Sequence, residues 1–205
     1  IVFIFTVLYF KWGLLGQIEP HLQRWLSRQD APLKPAPARV ARHFGTFKLE
    51  AVNMQAGQVK ILNDLSFEVN KAGIFCLIGP NGAGKTTFFN LLSGFMQPDE
   101  GEIVFNGHRI NGMRPSNICK LGMTRTFQIV KPFPELTVLE NVMIGAFNKT
   151  GSTQRAKEIA LDVLELVEFS DQARMSAGAL PVAGRKRVEV AKALATKPEL
   201  LLLDE

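Results

Sequence analysis

Two cysteines in 205 residues, Cys76 and Cys119, are too few and too far apart for a disulfide framework or a thiolate metal cage. They form no CxxC pair, and both read as small core residues of a protein kept in a reducing compartment. Histidine is nearly as scarce: His21, His43 and His108 stand apart and read as ordinary surface or turn residues. No internal repeat or low-complexity tract is present. Crossing a membrane takes about 20 apolar residues, and the opening "IVFIFTVLYF", Ile1 to Phe10, supplies half of that. A signal peptide is disfavoured, because the positive charges follow this run instead of preceding it and no small-residue cleavage site appears.

The body of the chain also lacks a charge excess. The net charge of +5 invites a nucleic-acid reading, but the charge is localised. Residues 1–48 carry Lys11, Arg24, Arg28, Lys34, Arg39, Arg42 and Lys48 against Glu19 and Asp30, while residues 49–205 carry 17 basic and 17 acidic groups. A nucleic-acid surface needs its basic residues on the folded body, so no nucleic-acid partner is expected. Lys and Arg just behind an apolar run match the cytoplasmic flank of a membrane span.

Three stretches follow from this. Residues 1–26 read as the end of a transmembrane helix and a juxtamembrane segment, with a buried core strand as the alternative for the apolar run. Lys11 and Trp12 would then lie at headgroup level, and Leu22, Trp25 and Leu26 would share one face of an interfacial or surface helix. Residues 27–46, with Pro32, Pro35 and Pro37, read as a stiff linker. Residues 47–205 read as an α/β domain. Its strands are "FKLEAV", "VKILNDLSFEV", the nearly all-apolar "GIFCLIG" and "LLLLDE". Asn106-Gly107 marks a hairpin, Thr137 and Glu140 form a capping box, and helices are expected over "KTTFFNLLSGF", "QRAKEIALDVLELVEF" and "RKRVEVAKALA".

The chemistry concentrates in "GPNGAGKTT": Gly79, Pro80, Asn81, Gly82, Ala83, Gly84, Lys85, Thr86 and Thr87. This run fits GxxxxGK[ST] between a buried strand and a helix. Glycines let backbone N–H groups close around phosphate oxygens, and the helix that follows turns its positive end to the same anion. Lys85 is expected to reach the β- and γ-phosphates, and the Thr86 hydroxyl to ligate Mg²⁺. In "LLLLDE" a buried strand presents Asp204 and Glu205 at its carboxyl end, the edge where α/β ligands bind. Asp204 would hold Mg²⁺ directly or through water, and Glu205 would polarise the attacking water.

With "GMTRTFQ" between them, these motifs resemble the ATP-binding subunits of ABC transporters, over residues 48–205. "TRTFQIVKPFPELTVLENVMIGA" and "RVEVAKALATKPELLLLDE" are most similar to the branch serving branched-chain amino-acid importers. The resemblance implies a P-loop NTPase fold of the ABC ATPase type, with an antiparallel β subdomain, a helical subdomain around 137–195, and an incomplete C-terminus. It implies ATP and Mg²⁺ as ligands, with Gln128 as the glutamine that touches the metal and the attacking water. It also implies a second ATPase domain as dimer partner and permease subunits contacted near Gln128 to Pro134. A solute-binding protein would act indirectly, and the site of action would be the cytoplasmic face of the cell membrane. "VLYFKWGLLGQ" is similar to the end of such permeases. The chain is therefore expected to be a permease tail, a linker and an ATPase, cut at both ends.

The sequence departs from the family in three places. The signature segment, which contacts ATP bound to the partner domain, reads Leu180, Pro181, Val182, Ala183, Gly184 instead of LSGGQ. Pro181 offers no hydroxyl or N–H, and the Ala183 Cβ crowds an approaching phosphate. Arg185, Lys186 and Arg187 open the next helix against its dipole, an arrangement that favours an anion there, with a solvated basic patch as the alternative. No aromatic stands between Lys48 and Ser66, where the family stacks adenine near the position of Ala56. The sequence given stops before the place of the family's switch histidine and second dimer loop. A catalytically weak half-site partner is the rival reading.

Overall fold

The structure, a computed structural model, describes the backbone of residues 2–7 and all of residues 46–127 and 132–204. Two four-stranded sheets enclose one helix, a short second helix packs onto the same core, and a separate layer holds three more. The strands are β1 Val2–Val7, β2 Phe47–Ala56, β3 Val59–Val69, β4 Ile74–Ile78, β5 Glu100–Phe105, β6 His108–Arg109, β7 Met123–Arg125 and β8 Leu200–Leu203. The helices are α1 Lys85–Leu92, α2 Pro115–Leu121, α3 Val138–Ala146, α4 Thr153–Leu166 and α5 Val182–Ala195. One sheet is parallel, in the order β4-β1-β8-β7; the other is antiparallel, in the order β3-β2-β5-β6.

The first core lies between the sheets. Phe88, Phe89, Leu91 and Leu92 of α1 meet Phe47, Leu49, Val52, Ile103 and Phe105 of the antiparallel sheet and Met123, Leu200 and Leu202 of the parallel one. The helix that follows the phosphate motif is thus gripped on two sides. The second core is helical: Val138, Val142 and Ala146 of α3 pack with Ile159, Val163 and Leu164 of α4 and Val188, Ala191 and Ala195 of α5. Gly145 permits the closest approach there, since a Cβ would overlap the backbone carbonyl of Lys192 on α5.

The local signals behave as expected. Asn106 and Gly107 both have positive φ and turn β5 into β6. Thr137 Oγ1 accepts from the Glu140 N–H at 3.2 Å, and the Glu140 carboxylate accepts from the Thr137 N–H at 2.8 Å. The Thr137 N–H and, at 2.7 Å, the Thr137 hydroxyl both donate to the Glu140 carboxylate and hold it below its ordinary pKa. Ser152 caps α4 through the Arg155 N–H at 3.3 Å. His108 lies exposed in β6.

Three expectations change. The apolar opening was expected as the end of a membrane helix; Val2–Val7 is instead a strand, pairing in parallel with β4 on one side and β8 on the other. Val2, Ile4, Thr6 and Val7 are β-branched and Phe3 and Phe5 aromatic, a composition that suits a pleated strand. An isolated helix of ten residues is marginal in water, whereas a slot between two strands satisfies both sets of backbone groups. Among the described residues no helix is long and apolar enough to cross a membrane. Cys76, expected in the core, is exposed on β4 together with Ile74 and Ile78. The helix expected from Arg185 begins earlier, at Val182. The expectations for Lys11, Trp12, Leu22 to Leu26 and the 27–46 linker lie outside the described residues.

Candidate functional site

The phosphate motif sits where β4 of the parallel sheet turns into α1. Ala83 N–H donates to Pro80 O at 3.2 Å, closing the loop, and Gly84 O accepts the first helical bond from Phe88 N–H at 2.8 Å. Gly84 is the N-cap of α1 in the left-handed region, with no side-chain cap. A Cβ on Gly84 would press on Ile61 Cγ2 at 3.0 Å and Ile61 O at 3.2 Å, so β3 walls this side, while a Cβ on Gly82 would meet nothing within 4 Å. The first N–H groups of α1 have no intrahelical acceptor and face this loop. A walled loop with free donors is an anion cradle. Lys85 Nζ donates to Gly79 O at 2.7 Å and Pro80 O at 2.9 Å, holding its ammonium over the same loop. Thr86 is exposed in the first turn of α1.

Asp204 lies at the carboxyl end of β8, and its side chain is only 3% exposed. Its Oδ2 accepts from Arg125 Nη2 at 2.6 Å, and its N–H donates to Thr126 Oγ1 at 3.3 Å. Arg125 Nη1 donates to Asn90 Oδ1 at 2.6 Å and Ser93 Oγ at 3.3 Å, both on or just after α1. One guanidinium therefore ties Asp204 to the helix that carries Lys85 and Thr86. Arg125 lies inside "GMTRTFQ", where the motif resemblance gives it no role. The available signal was a lone cation in a short strand between Gly122 and the buried Thr126. Gln128 and Glu205 lie outside the described residues.

The signature segment belongs to the helical layer instead. Leu180 and Gly184 are buried, while Pro181, Val182 and Ala183 are exposed. Pro181 is the N-cap of α5 and offers no side-chain bond. The three cations expected to meet an anion divide. Arg185 Nε donates to Leu180 O at 2.9 Å, and Arg187 Nη1 donates to Glu168 O at 3.4 Å while its guanidinium stacks on Phe169. Lys186 stays on the exposed face. Two of the three thus donate to carbonyls of their own chain. Phe169, Met175, Leu180, Ala183 and Arg187 border an open cleft of about 390 Å³. Ala56 ends β2 exposed, and the neighbouring cleft of about 500 Å³ is lined by Asn53, Gln55, Lys60, Leu62, Asp99 and Glu100 with no aromatic.

Comparison with known proteins places this arrangement. Residues 62–205 match the family model described as ABC transporter. The high-affinity branched-chain amino acid transport ATP-binding protein LivG of Salmonella typhimurium is 38% identical over 175 residues, covering 77% of this chain and 69% of LivG. BraF of Pseudomonas aeruginosa, named for the same transport, is 35% identical over 173 residues, 77% of this chain and 68% of BraF. The spermidine/putrescine import protein PotA of Legionella pneumophila is 40% identical over 149 residues, covering 73% of this chain but 40% of PotA. Among solved structures, the ATP-binding cassette MJ1267 superposes with a TM-score of 0.70 at 32% identity, over 80% of this chain and 70% of MJ1267. The ADP- and phosphate-bound dimer of the cassette MJ0796 superposes with a TM-score of 0.68 at 26% identity, over 78% and 73%. With a family model over residues 62–205, relatives of 35–38% identity and cassette structures of the same fold, the chain belongs to the ABC transporter family, as one of its ATP-binding, ATP-hydrolysing cassettes.

Proposed function

We propose that this cassette powers an importer of branched-chain amino acids or related small solutes. The observation that carries the ATPase half is the uncapped start of α1 in a glycine loop, with Asp204 tied to the last turn of the same helix through the buried Arg125. Gly79 to Thr87 wrap the phosphates, and Lys85 exchanges its two loop carbonyls for phosphate oxygens. The Thr86 hydroxyl and the Asp204 carboxylate are hard oxygen donors of the kind Mg²⁺ takes, with Gln128 as a third. When bound, the ion supplies neutralisation of charge on the β- and γ-phosphates. Glu205 polarises the attacking water, and Leu180 to Gly184 of a second cassette close over the nucleotide.

The transport half rests on relatives. LivG and BraF match over a longer stretch than PotA does, yet PotA is as similar residue for residue. Solute choice therefore lies with the permease and binding-protein partners. The test is ATP hydrolysis by the chain reconstituted with its permease partners in liposomes. Stimulation by leucine-loaded binding protein supports the reading, and stimulation by a polyamine alone overturns it.

A second reading has its own observation. The signature segment offers neither hydroxyl nor free N–H at Pro181, and two of its cations are engaged within the chain. That suits a cassette that binds nucleotide and leaves turnover to its partner. Hydrolysis by a mixed dimer, with Lys85→Ala introduced on one side at a time, separates the two.

For residues 1–26 the proposal remains the tail of a permease, supported by the +5 excess over residues 1–48. It requires Val2–Val7 to leave the sheet for the bilayer. Recovery of the protein in the soluble fraction after lysis would retain the strand and discard the tether.

A further inference from the structure

Arg125 has no part in the phosphate reading, yet it is the most heavily engaged cation among the described residues. Its side chain is 5% exposed. Its fork reaches Asp204 Oδ2 at 2.6 Å, Asn90 Oδ1 at 2.6 Å and Ser93 Oγ at 3.3 Å. Phe89 lies 5.6 Å and Phe127 5.3 Å from the guanidinium carbon, covering it from α1 and from the residue before Gln128. Its Nε is the buried side-chain nitrogen left without a partner among the described residues.

Burying an ion pair is costly, and well-packed apolar side chains often hold a core as well or better. A cation kept here, with one donor unsatisfied, points to a task beyond filling space. The two ends of its fork show the task. One nitrogen is anchored to α1 by Asn90 and Ser93, and the other takes Oδ2 of Asp204. The Asp204 N–H is held by Thr126 at the same time. Backbone and carboxylate are both fixed, and Oδ1 is the oxygen the guanidinium leaves free.

We propose that Arg125 is a positioning residue for the metal site. By holding Oδ2 it fixes the Asp204 carboxylate on the frame of α1 and selects Oδ1 for the metal ion or its water, which sets how strongly Mg²⁺ tightens a bound nucleotide. This rests on the reading that Asp204 serves the metal. Partners that orient a metal ligand typically contribute 10- to 100-fold in metal affinity.

The experiment measures binding of a fluorescent N-methylanthraniloyl ATP to the full chain, once in EDTA and once with saturating Mg²⁺. The ratio of the two Kd values is the tightening. Arg125→Met should leave the EDTA affinity within about twofold, since Arg125 does not touch the phosphate loop, and cut the tightening by about tenfold. Asp204→Asn should do the same, and the double variant should lose no more than either single. Full tightening in Asp204→Asn would discard the metal role of Asp204. Reduced tightening there but an unchanged or larger value in Arg125→Met would discard the role of Arg125 alone. Additive losses in the double variant, or equal losses with and without Mg²⁺, would make Arg125 a structural tie only. Should Arg125→Met fail to fold, Asn90→Ala keeps the ion pair and removes its anchor. A smaller reduction in the same direction supports the proposal, and unchanged tightening overturns it.

Discussion

Two helix N-termini in this molecule look alike on paper and differ in what they can bind. Both α1 and α5 begin without a side-chain cap, and neither has an acidic residue in its first turn. Both have basic residues close behind. At α1 the cap is Gly84, walled by β3, and Lys85 is held on loop carbonyls that a phosphate could replace. At α5 the cap is Pro181, and Arg185 and Arg187 are spent on carbonyls that the fold itself presents. The first gathers its free donors and its cation within one chain. The second is a surface that needs something placed against it. Basic residues at a helix start are therefore a poor sign of an anion site until their acceptors are known.

The contrast extends to the cores beneath. α1 is clamped between two sheets, whereas α5 is held by two helices at a contact that only glycine allows. Gly145→Ala should break the second and spare the first. The added Cβ collides with the Lys192 carbonyl, and overpacking of this kind costs typically about 3 kcal/mol. The expected drop in melting temperature is roughly 6 to 12 °C. Nucleotide affinity measured well below that temperature should stay within about twofold, because Gly145 touches nothing of the loop. A parallel collapse of nucleotide binding would mean that the two layers fold as one unit.

Lys85→Ala and Lys186→Ala sharpen the comparison at the two helix starts. In the proposed function Lys85 exchanges its carbonyls for charged phosphate oxygens, bonds worth about 1.5–3 kcal/mol. Its loss should weaken ATP binding by about 10- to 100-fold. Lys186 is exposed and distant from the chain's own loop, so its loss should change single-chain binding by less than about twofold. Equal effects by equilibrium titration would erase the distinction.

A smaller effect is expected at Thr137, whose hydroxyl and backbone N–H complete the capping box of α3. Thr137→Ala should cost about 1 kcal/mol and lower the melting temperature by roughly 2 to 4 °C. Thr137→Ser, which keeps the hydroxyl, should recover most of it. If the serine variant melts with the alanine one, the box is not what secures α3.

What sequence alone could read was set by distance along the chain. The phosphate loop, the Asn106-Gly107 hairpin and the Thr137–Glu140 box each lie within nine residues, so pattern and chemistry are visible together. Asp204 was legible because an apolar strand leads straight into it. Arg125 was not: its acceptors lie 32, 35 and 79 positions away, and nothing near it announces them. Val2–Val7 was ambiguous for a different reason. Short apolar runs fit a membrane helix or an inner strand equally well, and the vacancy between β4 and β8 that accepts a strand exists only in three dimensions. The acceptors of Arg185 and Arg187, at Leu180 and Glu168, were not legible either, since backbone carbonyls carry no sequence signal.

The smallest effect concerns Glu189, a strut between the two layers that titrates. Glu189 on α5 accepts the Phe127 N–H at 2.6 Å, tying the helical layer to the segment that leaves β7. Burial raises its pKa above 4.5, partly offset by the Phe127 N–H and by Lys192 and Lys186. A carboxyl whose folded value is raised is costly to keep ionised. At neutral pH Glu189 therefore subtracts stability, and as pH falls through the raised value protonation returns it. Below 4.5 the unfolded chain is protonated too, so the gain stops growing there. Glu189→Gln keeps an oxygen for Phe127 and discards the charge. It should raise stability at pH 7 slightly, by less than about 0.5 kcal/mol, as for other half-exposed positions. That advantage should shrink as the pH is lowered from above the raised value toward 4.5. Denaturant melts of both proteins across this range test the sign. A variant less stable than the parent at pH 7 would show that the attraction of Lys192 and Lys186 outweighs burial, and that the strut between the layers is ionic.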